Sequence, residues 1–278
     1  MNLTSAKWTG FLNMEIENRE GKSIPKSIYY YNALKVQRPI YHGKSGMPCY
    51  YLLNVGGGYM DGDTYRIEIR VREKAKLMLT TLGATLIYKT PNKPVTQESE
   101  IFLEKDSYFV YLPDPIIGYK NARYKQVDTI HMEKGATLLY SDILTPGWSA
   151  EGSSFSYDKL QLNTNIYLEG ELVVYDNIKL EPAVQQINAL GFMDDYTHIG
   201  TFIVIGEKTD DDLIKRLHEV IHEQPGEFEA GISLLSTPGF TIRILAKLTQ
   251  DIVRIISACH KLVSEEWFDE TPSFLRKY

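Results

Sequence analysis

The residues His218-Glu219-Val220-Ile221-His222 match the HExxH pattern, in which two histidines one helical turn apart chelate zinc and the glutamate activates the metal-bound water. The chemistry requires both imidazoles to face a cleft completed by a third ligand. On a helix advancing about 100° per residue, Leu213, Leu217, Val220 and Ile221 form the apolar stripe here. His222 then falls nearly opposite Leu213, and His218 sits just beyond the edge of the stripe. No downstream histidine or carboxylate pattern supplies the third ligand. The spacing therefore reads as a solvated helix face, with a zinc metallopeptidase (His218, Glu219, His222) as the rival enzymatic reading.

Three further matches break at a required residue. His42-Gly43-Lys44-Ser45 has the end of a phosphate-binding loop, but Arg38 stands where the first glycine must be. Asp61-Gly62-Asp63 opens like a calcium loop, yet Tyr65 and Arg66 occupy the places of a ligand and of the turn glycine. Gly56-Gly57-Gly58 lacks the dinucleotide-binding spacing. No serine or cysteine lies in a nucleophile-elbow context. The sequence offers no catalytic centre, and we read the chain as a non-enzyme.

The elements that would position any site are mostly strands. In residues 65–71, Tyr65, Ile67, Ile69 and Val71 alternate with Arg66, Glu68 and Arg70, one face buried and one wet. Residues 159–168 repeat the pattern, and shorter runs occur at 100–103, 129–132 and 240–244. Four segments, REKAKLMLTT, LEKDSYFVYL, MEKGATLLYS and LEGELVVYD, each place an acidic turn before an apolar strand. Their glutamates, Glu73, Glu104, Glu133 and Glu169, are spaced by 31, 29 and 36 residues. Three of the strands run into Asp114, Asp142 and Asp176. Such a period is what stacked β-layers produce. Two amphipathic helices follow, one over 210–223 with Thr209 as its N-cap, the other over 250–267. No Pro/Gly/Ser-rich linker divides the chain, so one domain over 1–278 is expected.

Composition narrows the function. Across 278 residues the apolar fraction is 43% and the charged fraction 24%, as in soluble globular proteins. A net charge of −6 supplies no global field for nucleic acid or anionic membranes. The polar N-terminus lacks a signal-peptide core, and no window approaches the ~20 apolar residues of a membrane span. Two distant cysteines, Cys49 and Cys259, fit a reducing compartment, so a cytoplasmic location is expected. The 19 tyrosines suit half-buried strands, and secondarily interfaces.

The turn GGGYMDGD at 56–63, followed at once by a strand, resembles the glycine-rich signature of the urease accessory protein UreD (UreH) family. In the order of that family come LTTLGATLIYK (79–89), LPDPIIGYKNARYKQ (112–126), SDILTPGWSAEGSSFSY (141–157) and LVVYDNIKL (172–180). The tail FTIRILAK, an amphipathic helix and a terminal FLRKY complete the likeness over nearly the whole chain. Leu82 and Leu86 depart from an expected glutamine and lysine, and Trp148 and Ser153 from arginine and glutamate.

The resemblance implies a mainly β, superhelical (β-helix-like) stack with two α-helices near the C-terminus. It further implies a urease maturation chaperone that binds UreF, through it the GTPase UreG, and apo-urease. Nickel would be cargo in transit and not a stoichiometric cofactor. A conduit must release its ion, so scattered carboxylates and hydroxyls serve better than Cys or His clusters, which hold late first-row metals tightly. On that reading Asp63, opening a strand, and Asp142 and Asp176, closing strands, line the passage, with Asp61 and Thr85 as weaker members. The alternative for each is an aspartate or threonine capping a turn. A β-solenoid interaction protein without metal traffic is the third reading.

Overall fold

The computed structural model describes residues 8–42 and 45–272. In chain order the elements begin with β1 (Gly10–Arg19), β2 (Lys22–Asn32), β3 (Leu34–Val36), β4 (Ile40–Tyr41), β5 (Pro48–Asn54) and β6 (Thr64–Val71). They continue with β7 (Lys76–Thr81), β8 (Thr85–Ile87), β9 (Val95–Leu103), β10 (Tyr108–Tyr111), β11 (Ile116–Gly118) and β12 (Arg123–Met132). The rest are β13 (Thr137–Leu144), β14 (Lys159–Leu168), β15 (Glu171–Leu180), β16 (His198–Ile205), α1 (Asp211–His222), β17 (Phe228–Leu234), β18 (Gly239–Ala246) and α2 (Thr249–Phe268).

The chain winds as a β-solenoid of about four turns. Each coil lays one strand on a first sheet, ordered β15-β14-β12-β9-β6-β1-β2, and one on a second, whose main path is β17-β18-β16-β13-β10-β7-β5-β3. The successive coils pair in parallel, β1 with β6, β6 with β9, β9 with β12 and β12 with β14. Antiparallel strands finish each stack, with β2 at one end of the first sheet and β15 at the other.

The alternating segment predicted at 240–244 lies on β18 of the second sheet, and those at 65–71, 100–103, 129–132 and 159–168 lie on the first sheet. Tyr65, Ile67, Ile69 and Val71 are buried and their neighbours partly exposed, because this sheet has one face on the core and one in water. The second sheet reads differently. β13 and β16 are buried almost throughout, since α2 packs across their outer face, with α1 lying against α2 and β17. A strand covered on both sides has no polar face to alternate with, hence their near-continuous apolar runs.

The repeat has a physical origin in the turns that join the sheets. Glu104, Glu133 and Glu169 each follow a first-sheet strand and donate a backbone N–H to the coil before, to the carbonyls of Val71, Leu103 and Met132. Their carboxylates accept from the backbone N–H of Glu73 (3.2 Å), Lys105 (2.8 Å) and Lys134 (2.8 Å). Each glutamate thus ties its own turn to the preceding one. The residue equivalent to them in the first coil is Arg72, whose N–H reaches Ile16 O, and not Glu73 as the period suggested. Arg72 keeps the contact with reversed charge, pairing with Glu104 at 3.2 Å.

Both helices occur near their expected bounds. The N-cap of α1 is Asp210, one residue beyond the predicted Thr209, and its Oδ1 accepts from Leu213 N at 2.8 Å. Thr209 instead donates its hydroxyl to Gly206 O. α2 buries Ile252, Ile255, Ile256, Cys259, Val263 and Trp267, the predicted stripe. No helix among the described residues is long and apolar enough to cross a membrane. Lys44 and the terminal FLRKY motif lie outside the described residues.

Candidate functional site

The core of the solenoid is mostly apolar, and a line of buried polar side chains runs through it. Inward positions of the first sheet carry Gln97 and Ser99 on β9, Gln126 and Asp128 on β12, Thr164 on β14 and Asp176 on β15. The register places Ser99, Asp128, Thr164 and Asp176 side by side at one level. Facing them, the second sheet contributes Tyr111, Tyr140, Asp142, Thr201 and Arg243, with Asp142 opposite Thr201 and Thr201 opposite Arg243. These form a polar file running across the strands, along the axis of the coil.

At its centre the Tyr140 hydroxyl bonds both Asp128 Oδ2, at 2.6 Å, and Asp142 Oδ2. Gln126 Nε2 donates to Asp128 Oδ2 at 2.7 Å and to Asp142 Oδ1 at 3.3 Å, while Tyr124 donates to Gln126 Oε1 at 2.9 Å. A phenol has one proton to give, so it cannot donate to both carboxyls, and one carboxyl must be the donor to it. Electrostatics agree. Two like charges ~5 Å apart repel by roughly 3 kcal/mol at an effective dielectric of about 20. Burial raises the Asp128 pKa, and burial followed by the Asp128 charge pushes Asp142 well above the carboxylate range. Asp128 is 0% and Asp142 5% exposed.

Toward one end, Tyr59 donates to Gln97 Oε1 at 2.8 Å and stacks on Tyr65, their ring centroids 3.7 Å apart. Tyr65 donates to Asp63 Oδ2 at 3.0 Å and accepts from Asn54 Nδ2 at 3.2 Å. Asn54, Tyr59 and Thr85 line a cleft of about 250 Å³, so this end of the file opens there. The glycine turn shapes its wall. Gly57 has φ +74°, and a Cβ on Gly58 would lie 2.5 Å from the Tyr88 ring. Leu82 and Leu86 also line the cleft. At the other end Arg243 donates to Asp176 Oδ1 at 2.7 Å and to Thr201 Oγ1. Both members of that ion pair are partly exposed.

The five residues singled out from sequence therefore occupy different situations. Asp142 and Asp176 belong to the file, but neither closes a strand. β13 runs on to Leu144 because β16 pairs with it, and β15 to Leu180 as the antiparallel partner of β14. Mid-strand aspartates are tolerated because their hydrogen bonds are made inside the file. Asp63 precedes β6 as predicted, and also caps its turn through Met60 N at 2.7 Å. Asp61 holds Asn92 N, Asn92 Nδ2 and Lys93 N, and these bonds, led by that to Lys93, lower its pKa. Its carboxylate serves the turn. Thr85 begins β8, and its N–H reaches Pro115 O.

Sequence reasoning missed Gln97, Ser99, Gln126, Asp128, Tyr140 and Thr164. The signal was present in β12, where the inward parity reads Tyr124, Gln126, Asp128, Ile130, Met132. Polar residues at core parity mark a polar interior. His218, Glu219 and His222 are exposed on α1, whose buried residues are Leu213, Leu217 and Ile221. Among the described residues no group of three or more His, Cys, Asp or Glu side chains converges.

Fold and site together define a β-solenoid with a file of polar side chains through its core. The sequence profile of the UreD urease accessory protein family matches residues 9–277, and the chain belongs to that family. Among its relatives is the urease accessory protein UreD of Lachnoclostridium phytofermentans, 46% identical over 271 residues, which cover 98% of this chain and 99% of the relative. UreD of Staphylococcus aureus strain bovine RF122 is 41% identical over 274 residues, covering 98% and 99%.

Proposed function

We propose that the chain is a urease maturation chaperone, a cytoplasmic scaffold without catalytic turnover that binds UreF, UreG and apo-urease and passes nickel toward the urease active site. The observation that carries this is the polar file from the cleft lined by Asn54, Tyr59 and Thr85, beside Asp63, to the Asp176–Arg243 pair. A divalent cation in a protein interior needs nearby negative charge and polar oxygens, since bare desolvation is prohibitive. The carboxyls of Asp63, Asp128, Asp142 and Asp176, with phenols, amides and hydroxyls, supply these without the soft ligands that would retain nickel. Nickel is cargo in this scheme, and no resident cofactor is invoked.

The test is urease activation, and nickel bound to urease, in cells co-expressing Asp63→Lys, Asp142→Asn or Asp176→Lys with the full accessory set. Each variant is expected to lower nickel content several-fold while the accessory complex still co-purifies. Normal nickel content in all three, with complexes intact, overturns the passage. Loss of the UreF complex instead assigns these aspartates to the fold.

A further inference from the structure

A second cavity, of about 220 Å³, lies away from the polar file, at the start of β7. Lys76, the first residue of that strand, lines it, whereas Thr81, the last, lines the cleft of Asn54, Tyr59 and Thr85. Its other walls are the turn before β10, with Asp106 and Ser107, the segment after β16, with Glu207 and Lys208, and the end of α2, with Trp267 and Phe268.

Two buried polar groups in these walls have no partner. Ser107 is 1% and Trp267 5% exposed, yet neither the Ser107 hydroxyl nor the Trp267 indole N–H is hydrogen-bonded. The Ser107 backbone is engaged, its N–H with Glu104 O and its carbonyl with Thr137 N, so the side chain alone is left open. Buried polar groups are nearly always satisfied, and two left open at one cavity call for an occupant.

The charges around them select its chemistry. The Lys76 ammonium is neutralised by Glu270, 2.9 Å away. Lys208 donates to the Trp267 carbonyl and lies 5.8 Å from the centroid of the Phe268 ring, and no carboxylate among the described residues pairs with it. An indole N–H, a hydroxyl and an unpaired ammonium can all donate, so the occupant must bring an anionic oxygen acceptor. Asp106 and Glu207 are exposed on the same walls, and their repulsion favours a single negative charge over a doubly charged phosphate. A carboxylate meets both demands, with one charge and two accepting oxygens. The volume is several times the roughly 30 Å³ share of one water, which leaves room for the group that carries it.

We propose that this cavity is a binding site for a carboxylate monoanion, held by Trp267 Nε1, Ser107 Oγ and Lys208 Nζ and independent of the nickel passage. The carboxylate belongs to a small organic acid or to an acidic side chain of a partner protein, which present the same group to the same three donors. An occupant ties the end of α2 to the turn that leads into β10.

The full-length chain, fused to a tryptophan-free solubilising protein and labelled with 15N-tryptophan, gives indole signals from Trp8, Trp148 and Trp267. Trp8→Phe and Trp148→Phe assign the third by elimination. Acetate and an end-capped Gly-Glu-Gly peptide are titrated in turn at constant ionic strength. The Trp267 indole proton is expected to move downfield and saturate with at least one of them. Saturation with acetate alone identifies a free acid as the source, and tighter binding of the peptide identifies a partner side chain. Lys208→Gln should weaken the binding at least about tenfold, Ser107→Ala several-fold, and methylphosphonate dianion should bind less tightly than acetate. If Ser107→Ala does not fold, Lys208→Gln, a change on the exposed side of the cavity, decides alone. A Trp267 signal that moves no more than those of Trp8 and Trp148 overturns the site and leaves water as its occupant. Undiminished affinity in the folded variants, or tighter binding of the dianion, overturns it as well.

Discussion

Asp142 is the residue whose surroundings most change what its substitution should do. At a wet strand end a lysine would be tolerated. Inside β13, where Tyr140 and Gln126 bond the carboxyl, it would be a buried ammonium beside Asp128, unable to accept the bond from Gln126. Asp142→Lys is expected to lose more than about 4 kcal/mol and fail to fold, whereas Asp142→Asn keeps the shape and loses about 1–2 kcal/mol. Urea melts of the two settle it, and a folded lysine variant would mean that the file is open to water. His260 gives a second test. Burial pushes its pKa down to about 4, so the folded state favours neutral imidazole. Its stabilising contribution is complete above the unfolded pKa of about 6.5 and is lost as pH falls from there through 4, roughly 3 kcal/mol in all. His260→Leu should flatten the fall in urea midpoint between pH 7 and pH 5 relative to wild type. Parallel slopes would show that the imidazole is not held neutral.

At the scale of elements, the turn glutamates and α1 make opposite predictions. Glu133→Ala deletes the acceptor for Lys105 N and should cost about 1–2 kcal/mol. Glu73→Ala should cost less than about 0.5 kcal/mol, because the Glu73 carboxylate meets only Lys74 on the surface. Thermal melts that rank them the other way would restore Glu73 to the repeat. On α1, alanine at both His218 and His222 should shift stability by less than about 1 kcal/mol and leave urease activation intact. Loss of activation in a folded protein would return the HExxH motif to consideration. These elements also show what was legible beforehand. The first sheet and α1 and α2 could be read from periodicity because one face of each meets water. The file could not, for its members lie on different coils about 30 residues apart, and only the register brings Ser99, Asp128, Thr164 and Asp176 to one level. Asp63, Asp142 and Asp176 came from the family likeness, which marks positions without showing their neighbours.

Across the whole molecule, the apolar stripe of α2 is covered by the second sheet, while Val253 on the helix and Leu248 at its N-cap stay exposed. Tyr29 and Tyr30 are exposed on β2, and Leu172 and Tyr175 on β15, the two rims of the first sheet. Rims of this kind, with open backbone groups and aromatic side chains, are expected to make the isolated chain associate. Light scattering should show concentration-dependent growth that UreF suppresses and that Tyr29→Lys with Tyr175→Lys reduces. A monodisperse monomer at high concentration, indifferent to UreF, contradicts this. The parallel coiling has a further consequence, for the order of events during synthesis. Strand β6 can dock only on β1, β9 only on β6, β12 only on β9, and β14 only on β12, so each layer is the template for the next. A ribosome-bound chain stopped at any intermediate length would present a raw, parallel-reading margin. Only when β15 folds back on β14 is that growth front closed by a strand of opposite sense.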